Sequence, residues 1–276
     1  MKILRVFQVA CSPNGDMVIA SGIKKLHILN KDGSYKKRMK TTEDECEKKI
    51  GMVLSIAISS SEHIFVLDSR KYIKVFDVDG GYFHCFSTLG AGSHPDASVN
   101  LGWIAIDGEG HLVVDDCGRK VKTIHSSPDG QLIKTVKQAN YGSMFVCNNK
   151  YMLYHFRPSG SLYTKVVSVD HFNNEVFAFT PRIDEEMVPG EKMKARGITC
   201  DREDNIYVAV SLTNESVITY NTGHVHKYSP SGTFMACVAN NLFNPCDVSI
   251  AYDGSVVIAN QESLLVYEMN SFDEGC

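Results

Sequence analysis

Three pairs of cations stand at matching places in this 276-residue chain: Lys24-Lys25, Arg70-Lys71 with Tyr72 beside it, and Arg119-Lys120. Each pair follows one apolar run and precedes another, so each belongs to a connecting turn. Clustered cations beside an aromatic suit a phosphate backbone, because neutralised phosphates release counterions and a ring can stack a base. The same charges could steer an acidic protein surface, and exposed turns carry charge whatever their function. Later corners break the series: the fourth keeps only Arg157, and Asn214-Glu215 and Gln261-Glu262 are neutral or acidic. Lys36, Lys37, Arg38 and Lys40 add cations to the first segment.

His224-x-His226 places two imidazoles on one face of a strand, the beginning of a zinc site. The sequence identifies no third ligand, and two histidines on a strand edge are ordinary without a metal. The nine cysteines include no C-x-x-C pair and read as reduced thiols. Cys11, Cys147 and Cys200 fall in apolar runs, where the thiol behaves as a small core hydrophobe. Cys46 lies among Glu43, Asp44, Glu45 and Glu47, whose charge keeps its thiol protonated. Trp103, the single tryptophan, opens an apolar run and suits either core packing or a contact rim. No Ser/His/Asp or Cys/His arrangement has supporting context, so the expectation is no catalytic residue, no metal and no cofactor.

The elements that would position these groups repeat. A short apolar run, a polar turn, a second apolar run, a corner and a third run recur six times. The first copy is Phe7–Cys11, Met17–Ala20 and Leu26–Leu29; the second is Leu54–Ile58, Ile64–Asp68 and Ile73–Phe76. The third is Trp103–Asp107, Leu112–Asp115 and Val121–Ile124, and a degraded fourth is Ser143–Cys147, Tyr151–Tyr154 and Lys165–Val169. The fifth is Gly197–Asp201, Ile206–Ala209 and His224–Tyr228, and the sixth is Asp247–Ile250, Val256–Ala259 and Leu264–Tyr267. Turns such as Asp32-Gly33, Asp79-Gly80 and Asp129-Gly130 then lead into a fourth strand, and their residue types point to two-residue hairpins. No stretch has sustained helical periodicity. Six copies at about the length of a four-stranded blade predict an all-β chain, a six-bladed β-propeller filling residues 1–276 as a single domain. A two-sheet sandwich is the alternative, but it does not require the same unit six times.

Within that architecture the basic corners of the first three blades would form an arc on one face. Ala10, Ala57 and Ala105 would sit where first strands crowd towards the axis. Asp68, Asp115 and Asp116 end second strands; propeller hydrolases and lyases hold an axial metal with such groups, but the position also forms turns. The last copy offers three strands, so the ring is expected either to have a three-stranded last blade or to be closed by Met1–Leu4. Two long excursions, 90–101 and 180–194, enter the third and fifth copies and could shape a recognition surface. The second carries Asp184, Glu185 and Glu186, opposing the basic arc.

Several stretches resemble the NHL repeat. Asn244-Pro245-Cys246-Asp247-Val248-Ser249-Ile250 with Asp253–Ala259 is similar to its "P-x-G/D-hydrophobic, turn, hydrophobic strand" phrase. Ile64–Asp68 followed by Ile73–Gly80 resembles "IYVAD…VQVFD-x-G", and Leu89-Gly90-Ala91-Gly92 leads through Val99-Asn100 to Trp103–Asp107 in the same manner. The resemblance covers nearly the whole chain. It implies an NHL-type propeller like those ending tripartite-motif ubiquitin ligases, which recruit substrates, protein partners or RNA while a RING does the ubiquitin chemistry. RING, B-box and coiled coil are not found in these 276 residues, so the resemblance implies recognition without catalysis.

Composition agrees with a folded protein: 43% hydrophobic, 22% charged. Twenty-eight Lys+Arg against 32 Asp+Glu leave a net charge of -4, which gives no support to general nucleic-acid binding. No apolar run approaches the ~20 residues a bilayer needs, and Lys2 and Arg5 interrupt any leader-like stretch. The expectations are a cytoplasmic location, a protein partner, RNA through Lys24, Lys25, Arg70, Lys71, Tyr72, Arg119 and Lys120 as the alternative, and a metal-dependent propeller enzyme as the third reading.

Overall fold

A computed structural model describes residues 5–22, 24–39, 49–87, 101–116, 120–137, 145–147, 152–156, 164–170, 174–181, 191–214 and 222–268. Every regular element among them is a strand. The first sheet is β1 (Val6–Cys11), β2 (Met17–Ser21), β3 (Lys25–Leu29) and β4 (Tyr35–Arg38). The second is β5 (Val53–Ile58), β6 (Ile64–Asp68), β7 (Tyr72–Phe76) and β8 (Tyr82–Ser87). The third is β9 (Leu101–Ile106), β10 (Leu112–Asp116), β11 (Val121–His125) and β12 (Leu132–Lys137). The fourth is β13 (Phe145–Cys147), β14 (Met152–Phe156), β15 (Lys165–Val169) and β16 (Glu175–Phe179). The fifth is β17 (Glu191–Cys200), β18 (Ile206–Asn214), β19 (Thr222–Tyr228) and β20 (Phe234–Phe243). The last sheet has three strands, β21 (Pro245–Ile250), β22 (Val256–Asn260) and β23 (Ser263–Tyr267). Each is an antiparallel meander with strands in chain order. Against the expected six-bladed ring, with its last blade three-stranded or closed by Met1–Leu4, the described residues form five four-stranded blades and a three-stranded sheet after them. The proposed closing strand, Met1–Leu4, lies outside the described residues.

The second strand of each blade explains the ring. β2, β6, β10 and β22 are buried at every residue, because both of their faces meet another sheet. Strand side chains alternate between faces, and the partition follows that period. Val18 and Ala20 of β2 pack with Ile56, Ile64 and Val66 of the second sheet. Met17 and Ile19 pack instead with Val257 and Ala259 of the last. Phe65 and Leu67 face Leu112 and Val114, and Val113 faces Val167 and Val169. Leu153 and Val166 join Ile206, Val208 and Val210, while Tyr207 and Ala209 turn to Val256 and Ile258. Six apolar interfaces thus run round a closed circle, an all-β propeller. Each fully buried Val, Leu or Ile contributes about 1.5–3 kcal/mol, and no sheet could bury both faces alone.

Outer strands carry the opposite pattern: β4 is exposed at every residue. The turns that feed them hold their glycines at positive φ, +79° at Gly33 and +74° at Gly80 and Gly130. The aspartates before Gly33 and Gly80 are not at positive φ, and these glycine N–H groups donate to the Asn30 and Asp77 carbonyls, three residues back. Both are therefore type I turns closed by a glycine bulge rather than two-residue hairpins. The ladders shift register there, between Ile28 and Leu29 and between Val75 and Phe76. Gly130 N–H donates instead to the Ser126 carbonyl, four back, across the cis Ser127–Pro128 peptide. Among the described residues no helix is long and apolar enough to cross a membrane.

Candidate functional site

First strands stand side by side around a central channel of about 260 Å³, lined by β1, β5, β9, β17 and β21. Ala10, Ala57 and Ala105 line it, each nearly buried, where larger side chains would fill the axis. The strands are tied laterally. Ser55 Oγ accepts from the Ile104 N–H at 3.2 Å, and the Cys11 N–H donates to Ser249 Oγ at 3.2 Å. Trp103 lines the channel half-buried, and its indole N–H finds no acceptor among the described residues. It packs, partly buried, against Ala105, Val113, Val167 and Val169.

Asp247 is the carboxylate in this channel among the described residues lining it. Its Oδ2 accepts the Val9 N–H and its Oδ1 the Val248 N–H, each at 3.0 Å. Burial pushes the carboxyl up to about 7, and the two N–H bonds pull the other way. Burial also pushes the neighbouring Cys11 thiol up to about 12, leaving no useful thiolate near neutrality. One carboxylate already holding two backbone donors is a strut between the first and last sheets. Among the described residues lining the channel it has no second acid for paired general acid–base work. Sequence reasoning passed over Asp247 as a site residue, although it occupies the D of the P-x-G/D phrase.

The corners between second and third strands are on another surface. Gly22 N–H donates to the Arg5 carbonyl at 3.0 Å and Ser69 N–H to the Met52 carbonyl at 2.8 Å. Corners therefore share a face with the segments entering first strands. In the second blade Asp68 organises the corner. Its side chain and that of Lys74 are both 0% exposed, with Nζ 2.7 Å from Oδ2. Gly51 N–H donates to the same oxygen at 2.6 Å, and Arg70 N–H donates to Oδ1 at 3.0 Å. Lys71 then takes φ +67°, donating its N–H to the Asp68 carbonyl at 2.9 Å. A side chain at Gly51 would meet Ser69 Oγ at 2.7 Å, so that hydroxyl, which accepts the Met52 N–H, would have to move to admit one. Asp68 is thus spent on the fold and lies off the axis, as do buried Asp115 and Asp116 at the end of β10. None of the three is among the described residues that line the channel, and Asp68 acts as the turn former its position suggested.

Of the basic series, Lys24, Lys25 and Lys120 are exposed, and Arg70, Lys71 and Tyr72 are half-buried. Lys120 repeats the left-handed conformation of Lys71, at φ +55°. Arg119, Arg157, Lys40 and Cys46 lie outside the described residues. The three corners fall on three successive sheets. Lys36 and Lys37 do not join them. Lys36 is 2.7 Å from Asp16 in the β1–β2 turn and 3.6 Å from Asp79, and Lys37 donates to the Asp79 carbonyl at 2.8 Å. Both belong to the opposite end of the blades, where exposed pairs contribute little.

His224 and His226 share a face of β19, with ring centroids 5.8 Å apart. Cys237 stands directly across from His226 on β20. The excursion at 90–101 lies outside the described residues apart from Leu101, as do Asp184, Glu185 and Glu186. The far end of the second excursion is no loop: Glu191–Lys194 pair with Ser211–Asn214 as the start of β17. Cys11 and Cys200 are half-buried against apolar clusters, and the Cys147 side chain is outside the described set.

No protein-family model and no curated protein matches the sequence. Solved structures match in shape. The hydrazine synthase of Kuenenia stuttgartiensis aligns with a TM-score of 0.62 at 11% identity, over 99% of this chain and 97% of that one. The RRP9 WD40 repeats align at 0.61 and 11% identity, over 94% and 88%. A streptogramin B lyase aligns at 0.56 and 12% identity, over 96% and 93%. At such identity the likeness shows the propeller fold alone.

Proposed function

We propose that this chain is a non-catalytic recognition module whose corner face binds an acidic surface of a protein partner. One observation carries the reading: the corners of three successive sheets project cations from a scaffold fixed underneath, in the second blade by the buried Asp68–Lys74 pair. A preordered turn loses little entropy on binding, and clustered cations raise the encounter rate with an acidic partner. The shape shared with WD40 propellers supports a scaffold role. The enzyme reading needs a converging set of acids or a metal triad on the axis, and Asp247 supplies one carboxylate already engaged by two N–H groups. In its finer form the proposal takes the three-stranded sheet as a sixth, incomplete blade of NHL type. It assigns the chain to substrate recognition beside a ubiquitin ligase whose RING is on another chain.

RNA is the second reading, favoured by Tyr72 beside the second corner. The test compares the chain with a Lys24→Glu/Lys25→Glu/Lys120→Glu variant, all exposed positions. Affinity capture from its own cells should retain a protein partner with the first and lose it with the variant. Filter binding to single-stranded RNA should be weak in both. Tight RNA binding that falls steeply between about 50 and 200 mM salt, and is lost in the variant, overturns the protein reading. Equal capture by both chains removes the corner face altogether.

A further inference from the structure

We propose that His224, His226 and Cys237 form a zinc site on the fifth blade, between β19 and β20. The sequence motif supplies two ligands at i and i+2, which a strand points to one side. Ladder register supplies the third, because Cys237 is the cross-strand partner of His226. Directly opposed residues have Cβ atoms about 4.5–5.5 Å apart, the separation a metal bridges without moving the backbone. One ligand atom from each of the three residues lies within 4.8 Å of the other two. Tetrahedral zinc with bonds of about 2.0–2.3 Å would bring them to about 3.3–3.6 Å, a closure of roughly 1 Å by side-chain rotation.

The donor set selects the ion. Two imidazoles and a thiolate fit zinc, whereas magnesium and calcium need oxygen. His226 is buried and oriented: the Tyr228 hydroxyl lies 3.2 Å from its Nδ1, and the Phe234 ring meets it edge-on at 5.5 Å. With Nδ1 on that hydroxyl, Nε2 is the nitrogen offered to the metal, an outer-shell arrangement that fixes both tautomer and ring direction. His224 and Cys237 are half-exposed, so the fourth position faces solvent and takes water. Cys237 Sγ now lies 3.5 Å from the Ala239 carbonyl; zinc would replace that thiol proton, releasing it to buffer as the Zn–S bond forms.

The test uses the full chain, stripped with a chelator and titrated with Zn²⁺ alone against a chromogenic competitor. One zinc per chain at sub-micromolar affinity is expected. Cys237→Ser and His224→Ala should each weaken it by at least about 100-fold, beyond the 10–100-fold seen for outer-shell partners, and Cys246→Ser should leave it unchanged. Cobalt(II) on the unaltered chain provides a reading that needs no variant. A thiolate-to-cobalt charge-transfer band with intense tetrahedral ligand-field bands is expected, and its absence overturns a thiolate site. Absence of stoichiometric zinc, or equal affinity in both ligand variants, overturns the proposal. So does copper(I) binding through these residues without zinc binding.

Discussion

Removing the charge of Asp68 tests how the corner is held. Asp68→Asn keeps the size and one carbonyl acceptor but strands the Lys74 ammonium, whose side chain is 0% exposed. An uncompensated buried charge costs about 3–5 kcal/mol. The converse change, Lys74→Met, keeps the aliphatic stem and leaves the carboxylate with the N–H groups of Gly51 and Arg70. Its cost should be nearer 1–3 kcal/mol. The double variant should recover part of the loss, giving a coupling of about 2 kcal/mol in the mutant cycle. Urea unfolding followed by circular dichroism measures all four proteins. At about 2–4 °C per kcal/mol for a chain approaching this size, Asp68→Asn should lower Tm by roughly 6–20 °C. A drop below about 3 °C, or Lys74→Met costing as much as Asp68→Asn, would refute the view that the pair is a buried lock with the lysine as its dependent member.

Two further outcomes concern the channel wall. Asp247 is raised to about 7 from an ordinary value of 3.8, so between these values the native state holds a proton that the unfolded state has lost. Stability should therefore fall as pH rises from about 4 to 7 and then level off; Asp247→Asn should flatten that segment of a Tm-against-pH curve. At Gly197 a Cβ would come within 2.7 Å of Asp247 Cα and the Val248 nitrogen, both backbone atoms. Gly197→Ala should then cost about 1–3 kcal/mol by overpacking, measured by urea unfolding. Gly110→Ala, where nothing lies within 4 Å at φ +83°, should show the cost of backbone strain alone.

Middle strands were legible because their burial is two-sided: runs such as Ile64-Phe65-Val66-Leu67 have one explanation once they repeat. Glycine turns were legible as turns, but their type depends on the φ of the residue before the glycine, which composition does not determine. Glu191-Lys192-Met193-Lys194 read as a charged excursion. It is a strand whose alternation buries Met193, and a register shift between Ala195 and Gly197 separates it from the apolar run that follows. Lys74 signalled itself faintly, as a cation inside Ile73-Lys74-Val75-Phe76, yet its partner lies on another strand. Cys237 was beyond reach for a similar reason. Its place opposite His226 lies between register irregularities on either side in the β19–β20 ladder, at Val225/His226 and Lys227/Tyr228, which no spacing rule anticipates.

The hydrogen bond from Val9 to Asp247 spans 238 positions, against 49 for the Ser55–Ile104 contact between neighbouring sheets. Loop-closure entropy grows as (3/2)RT ln n, so joining the first sheet to the last carries about 1.4 kcal/mol more than joining two successive ones. During synthesis the first sheet must wait for the whole chain before one of its faces is covered, while each later sheet docks on a neighbour already made. The circle accordingly has a direction in time. Its seam is the last interface expected to form, and the face of β2 bearing Met17 and Ile19 is the one left open to wrong partners while it waits.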